Sequence, residues 1–378
     1  MSSDNVIYFD NSATSWPKPR ETGEAMMYYL NDVGANPGRS GHRLALAGAK
    51  TVIGARMAVQ ELFNAEDADR VIFTKNTTEA LNLALIGTAE EDGHIVTTVY
   101  EHNSVLRTLT HLKERFRIGY TVTDGTPEAI AAAMKKNTYL VAVNHVSNVT
   151  GREADAAAIG KIAREKGALF LLDAAQSAGH TDIDMQKYGV DLLCAAGHKG
   201  IGGIMGSGVL VFNKKTEVRP VLFGGTGTES FNTSQPKFYP ERLESGTLNL
   251  PAIAALGEAA AYIKPNIRIF GETLTTLTEA LVSALETIRG VRLYSRPNRY
   301  GIVSFALDAA PSAAVADVLS SEYDIAVRGG LHCAPLAHKA LGTAENGLVR
   351  ASFAPQNTLK EVAVFVKAVS RIANNGLY

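Results

Sequence analysis

The run DLLCAAGHKG ends in a lysine set between glycines, Lys199. Glycine lets the backbone bend tightly there. An amine at such a strand end can form a Schiff base with an aldehyde cofactor once its pKa is depressed. Asp173 closes the run ALFLLD, and a carboxylate after five apolar residues needs a partner. A pyridinium nitrogen is one, because an ionised Asp keeps the ring protonated and able to accept electrons. Cys333, in VRGGLHCAPLAHKALG, has Arg328, His332, His338 and Lys339 as sequence neighbours. Cationic neighbours favour the thiolate, the reactive form of cysteine. Arg350 interrupts the apolar run LVRASF. A guanidinium there needs either a substrate carboxylate, which it can grip bidentately, or an internal salt bridge.

Further polar residues follow other apolar runs. Thr77 and Thr78, in KNTTEALNLAL, open a helical pattern whose free N–H groups and dipole attract anions. His102, in YEHNS, suits stacking on an aromatic ring or proton transfer. VNHVSNVTG offers His145 and Asn148, and Asn148 can donate to a ring oxygen. Each motif alone also fits a purely structural role: a surface turn, a helix cap, a core histidine, an inert thiol. Their joint occurrence, each past a strand and in this order, is what points to a site. Cys194 has only apolar neighbours and belongs to the core.

The elements that would position these residues are legible as short apolar runs at 71–74, 94–99, 139–143, 168–173, 190–195 and 208–212. Their near-continuous Val/Ile/Leu content predicts strands buried on both faces. Between two of them, DAAAIGKIAREKG predicts a helix capped by Asp155 and ended by Gly167. Strand–helix alternation predicts an α/β layer with a largely parallel sheet, whose ligands bind beyond the carboxyl ends of the strands. Helical patterns follow at 252–264 and 270–289, then a smaller α/β set from VRLYS to LVRASF. The expected division is a large domain over 16–261 and a small domain made of 1–15 and 262–378. GGTGTES at 224–230 reads as a flexible loop.

The chain has 378 residues, 46% of them hydrophobic and 20% charged, with a formal net charge of -1. No basic excess points to nucleic acid. Two isolated cysteines argue against a disulfide framework or structural zinc and suit a reducing compartment. The start shows no basic-then-apolar leader, and no apolar stretch of about 18 residues could span a bilayer. The expected location is the cytoplasm, with no membrane and no metal.

Taken together, FDNSATSWPKP, NTTEALNLAL, EHNS, NHVSNVTG, LLDAAQSAG, AAGHKG, LESGTLNLP and RGGLHCAPL resemble class V aminotransferase-type pyridoxal-phosphate (PLP) enzymes. They are most similar to the cysteine desulfurase and selenocysteine lyase branch. The compact cysteine loop resembles the short-loop sufS-like group and a bacterial desulfurase-like subgroup within it. The resemblance runs from about residue 7 to about residue 358. It implies the aspartate-aminotransferase-like fold type I, with a mostly parallel seven-stranded sheet and a smaller α/β C-terminal domain. It also implies a homodimer with active sites at the interface.

By the same resemblance Lys199 carries PLP, Asp173 pairs with the pyridinium nitrogen, Gln176 approaches the phenolic oxygen and His102 stacks on the ring. Thr77, Thr78 and His198 hold the phosphate, and Thr247 reaches the partner subunit's phosphate. Asn148 lies beside ring and substrate, Arg350 binds the substrate carboxylate, Arg328 lies on the catalytic loop, and Cys333 is the nucleophile. The implied reaction takes sulfur from L-cysteine, or selenium from L-selenocysteine. It leaves L-alanine and a persulfide on Cys333 for an acceptor protein. Three departures stand out: Ala196 where the family often has Ser, Leu331 where related loops have His, and GIGGIMGSG in place of a Gly-Pro-x-Gly turn. Two other outcomes are compatible with the motifs. One is a different class V reaction that does not need Cys333: transamination, epimerisation or Cβ–S lysis. The other is a partner-binding protein without activity.

Overall fold

The computed structural model describes residues 6–37, 41–308 and 310–375. Seven strands form the central sheet, in the order Val71–Thr74, Gly208–Phe212, Leu192–Ala196, Leu169–Asp173, Thr138–Asn144, His94–Thr98, Gly119–Thr123. Gly208–Phe212 runs antiparallel to both neighbours, and the pairs from Leu192–Ala196 outward are parallel. The inner strands are buried along their length because helices cover both faces, which is why they read as unbroken apolar runs. Gly119–Thr123 lies at the sheet edge, half-buried and rich in threonine, so hydrophobic runs alone do not reveal it.

One apolar core lies on each face. Val141, Phe170 and Leu193 belong to the first, and Leu140, Leu171 and Leu192 to the second, an alternation set by the two-residue period of a strand. The helix Ala156–Glu165 is capped by Asp155, whose carboxylate accepts from Ala158 N at 2.9 Å; Gly167 follows its end at φ +71°. A third core surrounds an antiparallel four-stranded sheet, ordered Arg328–Gly330, Leu348–Ser352, Ile302–Leu307, Val291–Leu293. The N-terminal strand Ile7–Tyr8 pairs with Ile325–Ala326, and Phe9 joins this third core.

The two helical patterns at 252–264 and 270–289 are in fact one helix, Leu250–Leu285, with Pro265 inside it. A proline removes one helical hydrogen bond and strains the preceding turn. Burial on both sides outweighs that cost: Ile263 and Ile267 sit in the first core, and Leu274, Leu277 and Leu281 in the third. Residues 224–230 carry no helix or strand. Among the described residues no helix is long and apolar enough to cross a membrane.

Candidate active site

The parallel strands deliver their polar residues to one edge of the sheet. Asn144 and Asp173 end adjacent strands and stand directly opposite each other. Asp173 is buried, and its Oδ1 accepts from Ala175 N at 2.9 Å. Burial pushes its carboxyl up, while the Ala175 N–H and the Lys199 charge oppose this. Lys199 lies in the turn after Leu192–Ala196, and its amine is brought down to about 8. Burial is the main cause, followed by the field of Arg350, with Asp173 pulling the other way. An amine in that range is available as a nucleophile and proton acceptor near neutral pH.

His102 caps the helix Asn103–Phe116, its Nδ1 accepting from Ser104 N at 3.1 Å. Burial, then the charges of Lys199, Arg328, Arg107 and Arg350, lowers it to about 4, so the ring is neutral. Thr77 and Thr78 open the helix Thr77–Gly87 behind the cap Asn76. The Thr78 hydroxyl meets that of Ser104 at 2.7 Å, so two helix N-termini converge on one spot. That is an arrangement for an anion. Ser104 was not singled out by sequence, though it lies within EHNS.

His198 turns its carbonyl toward the N-terminal segment, accepting from Thr14 Oγ1 at 3.0 Å and Lys18 Nζ at 2.6 Å. Its Nδ1 is buried without a partner. Gln176 Nε2 donates to Ser12 O at 3.1 Å, tying the same segment to the sheet edge.

The third core brings the remaining groups. Arg350 is 1% exposed. Its Nη2 pairs with Asp10 Oδ1 at 3.0 Å and its Nη1 donates to Asn148 O at 2.9 Å. The internal salt bridge is therefore real, yet Nε has no partner. Arg328 stands opposite Arg350 in the strand register. Cys333 is exposed, whereas Cys194 is buried and its thiol is pushed well up by burial. His332 and Cys333 both adopt positive φ, +50° and +57°, which is costly for residues with a side chain. Two bonds hold this bend: Asn103 N donates to Cys333 O, and Asn148 Nδ2 to His332 O, both at 2.7 Å. His332 stacks on His338 at 5.7 Å and is lowered to about 2, chiefly by burial.

Thr247 stands apart. It is exposed and lines a cleft of about 340 Å³ with Arg56, Thr226 and Thr228. Glu101 and Asp10 also went unmarked by sequence patterns. Their signal was a charged residue directly after an apolar run. Among the described residues no group of His, Cys, Asp or Glu is placed to hold a metal ion.

The sequence profile of the Aminotransferase class-V family matches residues 7–365. The chain belongs to that family. Class V members are PLP-dependent enzymes, and the seven-stranded sheet is that of PLP fold type I. A relative named a probable cysteine desulfurase in Methanothermobacter thermautotrophicus is 34% identical, covering 98% of this chain and 95% of its own. A protein of the same name in Pyrococcus abyssi is 36% identical over the same shares. The apo structure of a cysteine desulfurase from Thermococcus onnurineus NA1 superposes with a TM-score of 0.91 at 34% identity, covering 98% of this chain and 96% of that one. The cysteine desulfurase CsdA of Escherichia coli gives 0.88 at 26% identity, covering 98% and 95%.

The class V cofactor fits the side chains present. Asp173 offers a buried carboxylate for a ring nitrogen, and Lys199 an amine of lowered pKa for the aldehyde. The hydroxyls at the paired helix starts suit a phosphate. Three buried polar atoms, Asn148 Oδ1, His198 Nδ1 and Arg350 Nε, still lack partners.

Proposed function

We propose that this class V enzyme is a cysteine desulfurase, with Lys199 as its PLP lysine and Cys333 as its sulfur acceptor. The observation that carries this is the exposed Cys333, fixed in a strained bend by the starts of the His102 helix and of the Asn148 loop. When bound, PLP supplies an electron sink for the Cα carbanion of the substrate.

Lys199 takes the Cα proton, its lowered pKa suiting a base near neutral pH. With PLP bound, Asp173 would serve the ring nitrogen, Gln176 the phenolic oxygen and the neutral His102 the ring face. Thr77, Thr78 and His198 would hold the phosphate, and Ser104, whose hydroxyl meets that of Thr78, would add a donor where Ala196 offers none. Arg350, with Nε free, takes the substrate carboxylate, Asn148 lies beside it and Arg328 flanks the loop. The Cys333 thiolate attacks the substrate sulfur. An S–S bond forms, the Cβ–S bond breaks, and its electron pair leaves with the carbon fragment. Protonation of that fragment gives alanine. Selenocysteine would follow the same course, and an acceptor protein would then receive the chalcogen.

A homodimer is part of this proposal. Ile53 and Met57 are 56% and 57% exposed on one helix face, beside the cleft that holds Thr247. Phe223 and Phe231 are exposed in the segment that follows the sheet. An apolar surface of this kind marks an association site, and it would carry Thr247 to the partner's phosphate. The separate third core supports a small domain formed by the two chain ends. Cytoplasm remains the proposed location.

The test is to incubate PLP-loaded protein with cysteine and, separately, with selenocysteine, for wild type and Cys333→Ala. Alanine and released chalcogen are measured. Alanine formation from cysteine should collapse in Cys333→Ala; equal turnover by both proteins would remove the assignment.

A further inference from the structure

The Glu101 carboxyl takes no part in the roles above, yet it is fully buried at the same sheet edge. Its Oε1 accepts from the Thr98 hydroxyl at 2.7 Å and from the backbone N–H of Asn144 at 2.9 Å. Thr98 ends one strand and Asn144 ends the next. Asn144 is paired across the sheet with Asp173, whose carbonyl accepts from His145 N at 3.0 Å. The Asn144 side chain closes the network, Nδ2 donating to Tyr100 O at 3.2 Å and Oδ1 accepting from Val146 N at 3.1 Å. One carboxyl oxygen thus registers two strand ends against the strand end that bears Asp173.

The other oxygen, Oε2, is buried and meets no donor. Among the described residues no cation pairs with Glu101, and the charge that acts on it is that of Asp173. The next residue, His102, is neutral, and Lys199 acts on Asp173. An ionised carboxylate with one bare oxygen, beside a second carboxylate, is disfavoured on both counts.

We propose that Glu101 is a positioning residue that works as a neutral carboxylic acid, fixing the strand ends around Asp173 and leaving Asp173 as the one carboxylate turned to the cofactor ring. Burial pushes the Glu101 pKa up to about 8 against the Asn144 and Thr98 hydrogen bonds, and Asp173 pushes in the same direction as burial. This rests on the assignment of Asp173 to the ring nitrogen.

The experiment compares wild type, Glu101→Gln and Glu101→Ala. Infrared difference spectra between wild type and Glu101→Gln, recorded without cofactor, should show the C=O stretch of a protonated acid at pH 6.5, fading as pH rises past about 8. PLP binding, followed by absorbance at neutral pH, should be within about threefold of wild type in Glu101→Gln. It should be weaker by about tenfold or more in Glu101→Ala, where the Asn144 N–H loses its partner. Thermal melts confirm that each variant is folded. A missing acid band, or Glu101→Gln as weak as Glu101→Ala, or undiminished binding by Glu101→Ala, overturns the role. A wild type that takes up no PLP overturns the enzyme assignment and this role together, whereas a missing band in a PLP-binding wild type overturns this role alone.

Discussion

Arg328 and Arg350 stand face to face across two antiparallel strands. Like charges so placed repel, and the nearest offset is Asp10, which engages only Nη2 of Arg350. After burial, this surplus positive charge is the next influence that brings the Lys199 amine down, and it suits an arriving carboxylate.

Arg350→Met should therefore remove the carboxylate grip proposed for this side chain. In steady-state assays kcat/KM for the amino acid should fall by about a hundredfold, as for a lost charge-assisted hydrogen bond of roughly 3 kcal/mol. Arg328→Met should cost less, since that side chain is exposed. Equal small losses would count against the pairing.

Asn148 should control how firmly the Cys333 bend is held. In Asn148→Ala the His332 carbonyl loses its 2.7 Å donor while both positive φ values remain to be sustained. Amide exchange over 331–334 should quicken while exchange in the central sheet is unchanged. An unaltered loop would show that the Asn103 contact suffices.

Gly179 has φ +83°, and a Cβ there would lie 2.2 Å from the carbonyl oxygen of Gly200, next to Lys199. Gly179→Ala cannot be relieved by a rotamer change, because the obstacle is backbone. Urea titration should show a loss of about 3 kcal/mol or more, combining overpacking with a forced left-handed residue. PLP retention should drop with it.

Burial lowers His102, His145, His180 and His198 from 6.5 to about 4. Between those values the unfolded chain binds more protons than the folded one. Stability from these rings is complete above pH 6.5 and is lost as pH falls through about 4. The raised carboxyls act in the opposite direction: the stability from Glu101 fades as pH rises from 4.5 to about 8, and Asp173 shifts the same way. The histidine contribution is isolated by His145→Asn, which should lose less of its melting temperature between pH 7.5 and 5 than wild type does.

Much of this was legible from the chain alone. Buried parallel strands announce themselves as apolar runs, and polar residues stand at or soon after their ends: Asp173 closes one strand and Asn148 lies in the loop after another. The edge strand Gly119–Thr123 was not, because half-burial permits threonine and tyrosine on its open side. Pro265 divided one helix into two patterns, because two cores compensate for it in a way no local signal records. Glu101 and Asp10 escaped notice for a related reason. Their importance lies in partners 43 and 340 positions away, and that distance is closed only by folding.

The helix Leu250–Leu285 is a single shaft of 36 residues, about 54 Å at 1.5 Å per residue, whose ends are gripped by different cores. Neither grip can slacken without shearing the same cylinder of hydrogen bonds. Pro265 leaves one bond missing midway, but the two cores close in on either side of it, so one half should not melt while the other survives. The calorimetric trace should show one endotherm, and loss of the lysine pocket should coincide with loss of the cysteine bend.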